Sequence, residues 1–308
     1  MWKVPSSVFL RIKKTFLVIL ALCTTYGCIP AKGQPGIFAG GGATWYYGDL
    51  NDRTICHPKL FSHYLTAGLL YRFSPKFAVS FSYATGEVEG ADSLAIQDFN
   101  LKRNLHFRTD IEQAALHLEY RLFRPKGRTG GRISPYIFGG AAWYRFNPVA
   151  QLNGVETELQ PLGTEGQYIR EGGYPPPYEL KRISMPLGLG VDFRISRAFT
   201  TRLEIAGHYT FFDFFDDVAG VYADSAKLSS TPNGSLALIM AANVADSGYP
   251  LAGTRRGTSG SSDKYVFAGL KLLYTPFSGG NDKNGSGSGY KGGGRPKKKN
   301  RKACPAYH

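Results

Sequence analysis

Nowhere does the chain carry the ~18–20 consecutive apolar residues that a membrane-spanning helix needs. Its longest candidate, residues 15–22 (TFLVILAL), is far too short. Charge is also sparse, with Asp, Glu, Lys and Arg making up only 19% of the residues. The motifs that carry common chemistries are missing as well. The sequence has no Gly-x-Ser-x-Gly, no His-Glu-x-x-His, no phosphate-cradling glycine loop and no Cys-x-x-Cys, which argues against the corresponding hydrolase, metalloprotease, nucleotide and redox chemistries. Cysteine is scarce too. Of four, Cys23 and Cys28 lie near the N-terminus, and Cys56 and Cys304 are far apart.

What the chain does have is glycine and aromatics: 38 Gly, 20 Phe and 19 Tyr. That mixture suits strands and close backbone approach better than helices. The N-terminus reads as an export signal. Lys3, Arg11, Lys13 and Lys14 precede the short apolar core, and Ala31-Lys32-Gly33 offers a cleavage site before Gln34. Lipid attachment at Cys28 is the alternative. A chain that is exported and then stays in a membrane without a spanning helix must close into a barrel, or else be soluble.

Eight runs have strand character, near residues 36–48, 61–73, 77–89, 104–123, 134–146, 182–195, 200–212 and 264–276. In the sixth, Ile183, Met185, Leu187, Leu189, Val191, Phe193 and Ile195 alternate with Ser184, Pro186, Gly188, Gly190, Asp192 and Arg194. Successive strand residues face opposite sides, so one face is greasy and the other small or charged. A soluble sandwich gives the same signal. The connections discriminate better: residues 74–76, 124–133 and 196–198 are short, whereas 51–59, 90–103, 147–181 and 213–263 are long. That alternation is the rhythm of outer-membrane barrels. The expected fold is therefore all-β, an eight-stranded antiparallel transmembrane β-barrel of the outer-membrane type. Residues 1–33 form the signal, 34–277 the barrel and 278–308 a flexible basic tail.

Aromatics near strand ends read as interface girdles: Trp45, Tyr46, Tyr47, Tyr83, Trp143, Tyr144 and Phe146 at one side, and Tyr71, Phe73, Tyr120, Phe123, Tyr274 and Phe277 at the other. The fourth run resists. Its apolar residues are odd at Leu105, Phe107 and Ile111, then even at Leu116, Leu118, Tyr120 and Leu122. Either a bulge near residues 112–115 restores the register, or the first half projects above the membrane.

The inward positions carry Arg72, Glu119, Arg121, Asp192, Arg194, Arg202, Glu204 and Lys271, with His117 and His208. Eight strands leave room for packed side chains but no aqueous pore, so these charges are expected to pair into a plug. Asp213, Asp216, Asp217 and Asp224 could ligate calcium, but their spacing matches no EF-hand loop. His208 on the inner face would suit a lipid-modifying enzyme, yet nothing supplies it with a positioned nucleophile. No catalytic residue, cofactor, metal or small-molecule substrate is expected.

Beyond a Gly/Ser linker, the tail gathers Lys283, Lys291, Arg295, Lys297, Lys298, Lys299, Arg301 and Lys302 against Asp282, half of the chain's +14. An even strand number with the N-terminus inside puts both termini in the periplasm. There the basic block seeks an acidic partner or anionic lipid, and nucleic acid is a poor candidate.

Several stretches resemble a known family. Trp45-Tyr46-Tyr47-Gly48-Asp49-Leu50-Asn51, Arg103-Asn104-Leu105-His106-Phe107-Arg108 and Pro135-Tyr136-Ile137-Phe138-Gly139-Gly140 are three of them. Arg145-Phe146-Asn147-Pro148, residues 158–167 (ELQPLGTEGQ), residues 216–222 (DDVAGVY) and the ending Arg301-Lys302-Ala303-Cys304-Pro305 are the others. Together they are similar to the PorG-like, DUF6089-type outer-membrane barrels of the type IX secretion system. The resemblance implies a non-enzymatic role in protein export. In that family the barrel sits with a periplasmic ring of lipoprotein and associated subunits and anchors it beneath outer-membrane lipid. On that reading Arg295, Lys297, Lys298, Lys299, Arg301, Lys302 and Cys304 are the candidate partner-binding residues. A structural or adhesive barrel without a secretion partner is the alternative.

Overall fold

The computed structural model describes residues 33–51, 57–123, 132–242 and 248–276. The signal, Cys28, Cys56, Phe277 and the tail residues Arg295, Lys297, Lys298, Lys299, Arg301, Lys302 and Cys304 lie outside them. Among the described residues there are nine strands: β1 (Gln34–Tyr47), β2 (Ser62–Arg72), β3 (Phe77–Ala91), β4 (His106–Arg121), β5 (Ile133–Leu152), β6 (Val155–Glu158), β7 (Lys181–Arg194), β8 (Phe199–Tyr209) and β9 (Lys264–Tyr274). Each barrel strand pairs antiparallel with its neighbours, and β1 pairs with both β2 and β9. Eight strands thus close a barrel, and closure leaves no edge within it. All short turns, the start of β1 and the end of β9 share one end; the long loops share the other.

The ninth strand departs from the expected eight. Residues 147–181 were expected as loop, but β5 runs on to Leu152 and turns back through Asn153-Gly154 into β6, with Leu152 opposite Val155. Asn153 and Gly154 have φ of 50° and 78°. Two consecutive positive-φ residues are what a type I′ hairpin turn requires, and Asn-Gly is its preferred pair.

Inner and outer faces follow the alternation. Leu116, Leu118, Ile183, Leu187, Leu189, Leu203 and Leu270 lie on the outside, each close to half exposed or more. The small partners in β7 serve the interior: a Cβ on Gly188 or Gly190 would strike the ring of Phe138 or Tyr136. Those rings fill the barrel where β5 meets β7.

No bulge occurs in β4. Its register is continuous against β3 from His106↔Ala91 to Phe77↔Tyr120, and against β5 from Arg108↔Val149 to Arg121↔Tyr136. Odd residues face inward throughout: Phe107, Ile111, Ala115, His117 and Glu119 are all buried. The polarity inverts along the strand instead. Near the short turns the outside is apolar and the inside charged. Beyond Trp143 the outside carries Arg108, Asp110, Glu112 and Arg145, while the inside is a hydrophobic core. On β5 the outward greasy positions run from Ile133 to Trp143, the ~9–11 residues of a tilted membrane crossing. The rest of the barrel stands above the membrane and packs like a soluble protein.

Three girdle expectations change accordingly. Tyr46 and Tyr144 are fully buried and Phe146 is nearly so, inside the upper core, because their parity is inward. At the short-turn end the collar forms on the outer surface: Phe73 meets Phe77 at 6.2 Å, Phe77 meets Tyr120 at 5.1 Å, and Phe199 meets Tyr274 at 5.1 Å.

Candidate functional site

Two polar assemblies occupy the barrel, one at each end. Arg202 is the centre of the lower one. Its guanidinium donates to both oxygens of Glu119, at 3.2 and 2.6 Å, and its Nε donates to Asp192 at 2.9 Å. Its face lies 4.4 Å from the Tyr136 ring. Asp192 also accepts from Arg121 at 2.7 Å and lies 3.7 Å from Arg72. Glu204 accepts from Lys271 and from the Tyr136 hydroxyl. The strands place these groups because inward residues at matching heights meet: Asp192 is the ladder partner of Arg202 on the adjacent strand, and Glu119 of β4 reaches Arg202 across the narrow barrel. Arg194 departs from its expected place among them. It is exposed at the end of β7, past the last turn of the plug.

Above the plug the interior is lined mainly by aromatic rings and neutral polar groups, with Arg182 near its top lying 4.1 Å over the Phe212 ring. His208 stacks on Tyr265 at 4.5 Å, His117 lies edge-on to Phe138 at 5.3 Å, and Tyr265 donates to Gln113 at 2.8 Å.

The upper assembly closes the mouth. Phe215 from the last long loop sits 5.1 Å from Phe146 and 5.6 Å from Tyr265, corking the lumen with an aromatic stack. Around it run buried ion pairs. Arg103, at the end of helix α1 (Asp98–Arg103), makes two 2.7 Å bonds to Asp92. Arg256 donates to Glu165 at 2.9 Å, to the Asp217 carbonyl at 2.5 Å and to the Ala241 carbonyl at 3.0 Å. Glu165 in turn accepts from the backbone of Ala219 and Gly220. Two further helices, α2 (Ser225–Ser229) and α3 (Gly234–Ala241), cover this network.

The four acids singled out for calcium are spent within this cap. Asp217, at φ 66°, accepts from Thr164 and Tyr178 at 2.5 and 2.7 Å. Asp224 caps α2, and Asp213 accepts from the Gly260 backbone. Asp216 shares the Tyr46 hydroxyl with Asp263, at 2.7 and 2.6 Å. Among the described residues no group of three or more His, Cys, Asp or Glu side chains is placed to hold a metal. Asp216 and Arg256 also line an outward cavity of about 360 Å³, with polar atoms already engaged in these bonds.

One hydroxyl proton cannot serve two carboxylates, so the Asp216–Asp263 pair must hold a further proton. Burial pushes both carboxyls up, each reinforced by neighbouring acids. Burial also raises Asp217 to about 6 and Asp213 to about 7. The folded cap therefore binds more protons than its unfolded loops above about pH 4. The stability these carboxyls contribute is complete below that point and is lost as pH rises through their raised values, about 6 for Asp217 and about 7 for Asp213. Limited proteolysis of the outer loops should run faster at pH 8 than at pH 5, and Asp216→Asn should flatten that dependence. An equal rate at both pH values in the native protein would rule the account out.

Sequence reasoning missed Tyr46, Asp92, Arg103, Glu165, Arg256 and Asp263 as parts of one assembly. Only Asn153-Gly154 offered a local signal of structure there.

Several solved outer-membrane barrels are similar to the chain. The N-terminal β-barrel domain of Pseudomonas aeruginosa OprF is similar at 11% identity and TM-score 0.33, covering 79% of this chain and 99% of that one. Neisserial surface protein A shares 6% identity at TM-score 0.38 over 78% of this chain and 96% of that one. OprG from P. aeruginosa shares 12% at TM-score 0.32 over 79% and 94%. No curated protein matches the chain. The fold itself rests on the closed strand pairing described above. The model of the family described as a domain of unknown function, DUF6089, matches residues 13–237; the chain is a member of that family, in the form of an eight-stranded barrel of the outer-membrane type.

Proposed function

We propose that the protein is a non-enzymatic outer-membrane component of the type IX secretion machinery, anchoring a periplasmic ring complex beneath the outer membrane. The observation that carries this reading is a barrel filled at both ends. Among the described residues the Arg202 plug below and the Phe215 cork above fill the lumen at both ends. A barrel that conducts nothing suits a scaffold, and the sequence resemblance to PorG-like barrels supplies the kind of machine. On this reading residues 1–33 direct export, both termini lie in the periplasm, and the tail from Arg295 to Cys304 meets the ring's lipoprotein and associated subunits.

Deleting Gly279–His308 should abolish co-purification with a periplasmic complex and leave the barrel's heat-modifiable gel mobility intact. Full recovery of the complex without the tail would refute tail docking. A second reading, a structural or adhesive barrel, is favoured by the ion-paired outer cap, which presents a fixed surface. It predicts no periplasmic complex at all, with or without the tail.

A further inference from the structure

We propose that the short-turn mouth of the barrel is an anion-recognition site that seats an acidic segment of a separate periplasmic protein. Arg72 and Arg121 occupy inward positions at this end, and the exposed Arg132 and Arg194 stand at its rim, just before β5 and at the last residue of β7. A single carboxylate, Asp192, is shared by Arg72, Arg121 and Arg202. Arg132 and Arg194 are joined by a 2.7 Å backbone hydrogen bond from Arg194 to Arg132. Both are exposed, and among the described residues neither has a carboxylate partner. Like charges directly opposite one another on a ladder are destabilising, and an anion between them removes that cost.

The carboxylate census sharpens the case. None of the protein's 23 Asp and Glu residues falls in the three short turns, at 73–76, 122–132 and 195–198. Those turns add Lys76 and Arg197 to the same end. Paired guanidinium groups favour carboxylate or phosphate through parallel charged hydrogen bonds.

Three sources of such an anion can be told apart. Lipid headgroups lie outside the wall, whereas Arg72 and Arg121 reach Asp192 inside it. The chain's own tail is strongly cationic and offers the mouth little anionic charge. An acidic segment of another protein is left, entering along the barrel axis. That it waits in the periplasm rests on the orientation proposed above; the anion chemistry of the mouth does not.

The test uses the full chain in phosphatidylcholine nanodiscs and a fluorescent hexaglutamate peptide, read by anisotropy at low salt. Arg132→Gln with Arg194→Gln should weaken binding about tenfold or more, with heat-modifiable mobility unchanged. Lys297→Gln, Lys298→Gln and Lys299→Gln together should weaken it far less. Binding lost with the tail lysines and untouched by the mouth pair overturns the proposal. So does binding abolished on replacing phosphatidylcholine by phosphatidylglycerol, which would assign these arginines to headgroups. Peptide binding needs no secretion partner, so its failure would leave the complex-recovery experiment standing, and the reverse also holds.

Discussion

Arg202→Met should destabilise the barrel by about 3–5 kcal/mol, the cost of stranding a buried charge. Both Glu119 oxygens accept from this one guanidinium, and the Arg202 side chain is 1% exposed. Asp192 keeps Arg121 after the substitution, so the loss falls mainly on Glu119. Reversible urea unfolding in lipid vesicles measures it. The control is Arg194→Ala, an exposed position expected to change stability by less than about 0.5 kcal/mol. Glu119→Leu combined with Arg202→Met should recover most of the lost stability, because an apolar pair leaves no unpaired charge. If Arg202→Met proves neutral, water reaches the plug and the lumen is not dry.

Arg256→Met should have a comparable effect in a different place. This side chain is 2% exposed and holds Glu165, the Asp217 carbonyl and the Ala241 carbonyl together. Its loss leaves Glu165 with only its backbone donors, Ala219 and Gly220. The expected cost is again about 3–5 kcal/mol, but confined to the cap. Outer-loop proteolysis should accelerate strongly while urea unfolding of the membrane-spanning wall stays where it was. If the wall unfolds earlier too, cap and wall form one cooperative unit and the division drawn here fails. The two substitutions together separate the halves of the molecule, since among the described residues the ion pairs of the plug and those of the cap have no residue in common.

The inversion of polarity explains why one run of sequence was ambiguous. Phe107 and Ile111 looked out of phase with Leu116 and Leu118 only on the assumption that apolar residues face lipid along the whole strand. Inward parity never changes; what changes is the surroundings, from lipid to water on the outside and from plug to core on the inside. The same cause moved Tyr46, Tyr144 and Phe146 from an expected girdle into the core.

The chain alone determined the wall. Strand alternation and the short–long rhythm of connections are local consequences of the pleat and of the bilayer, and both can be read along one segment at a time. They fixed which residues face inward, including Arg202, Glu119, Asp192, Glu204 and Lys271. They did not say which would meet. Tyr46, Asp216 and Asp263 are separated by most of the chain, and Arg256 reaches Glu165 from another long loop. Arg132, just before β5, meets Arg194, at the end of β7, through a backbone hydrogen bond. Such meetings depend on strand register around a closed barrel and on how long loops fold over its mouth. Those are properties of the whole circuit of strands, so only the tertiary structure decided them.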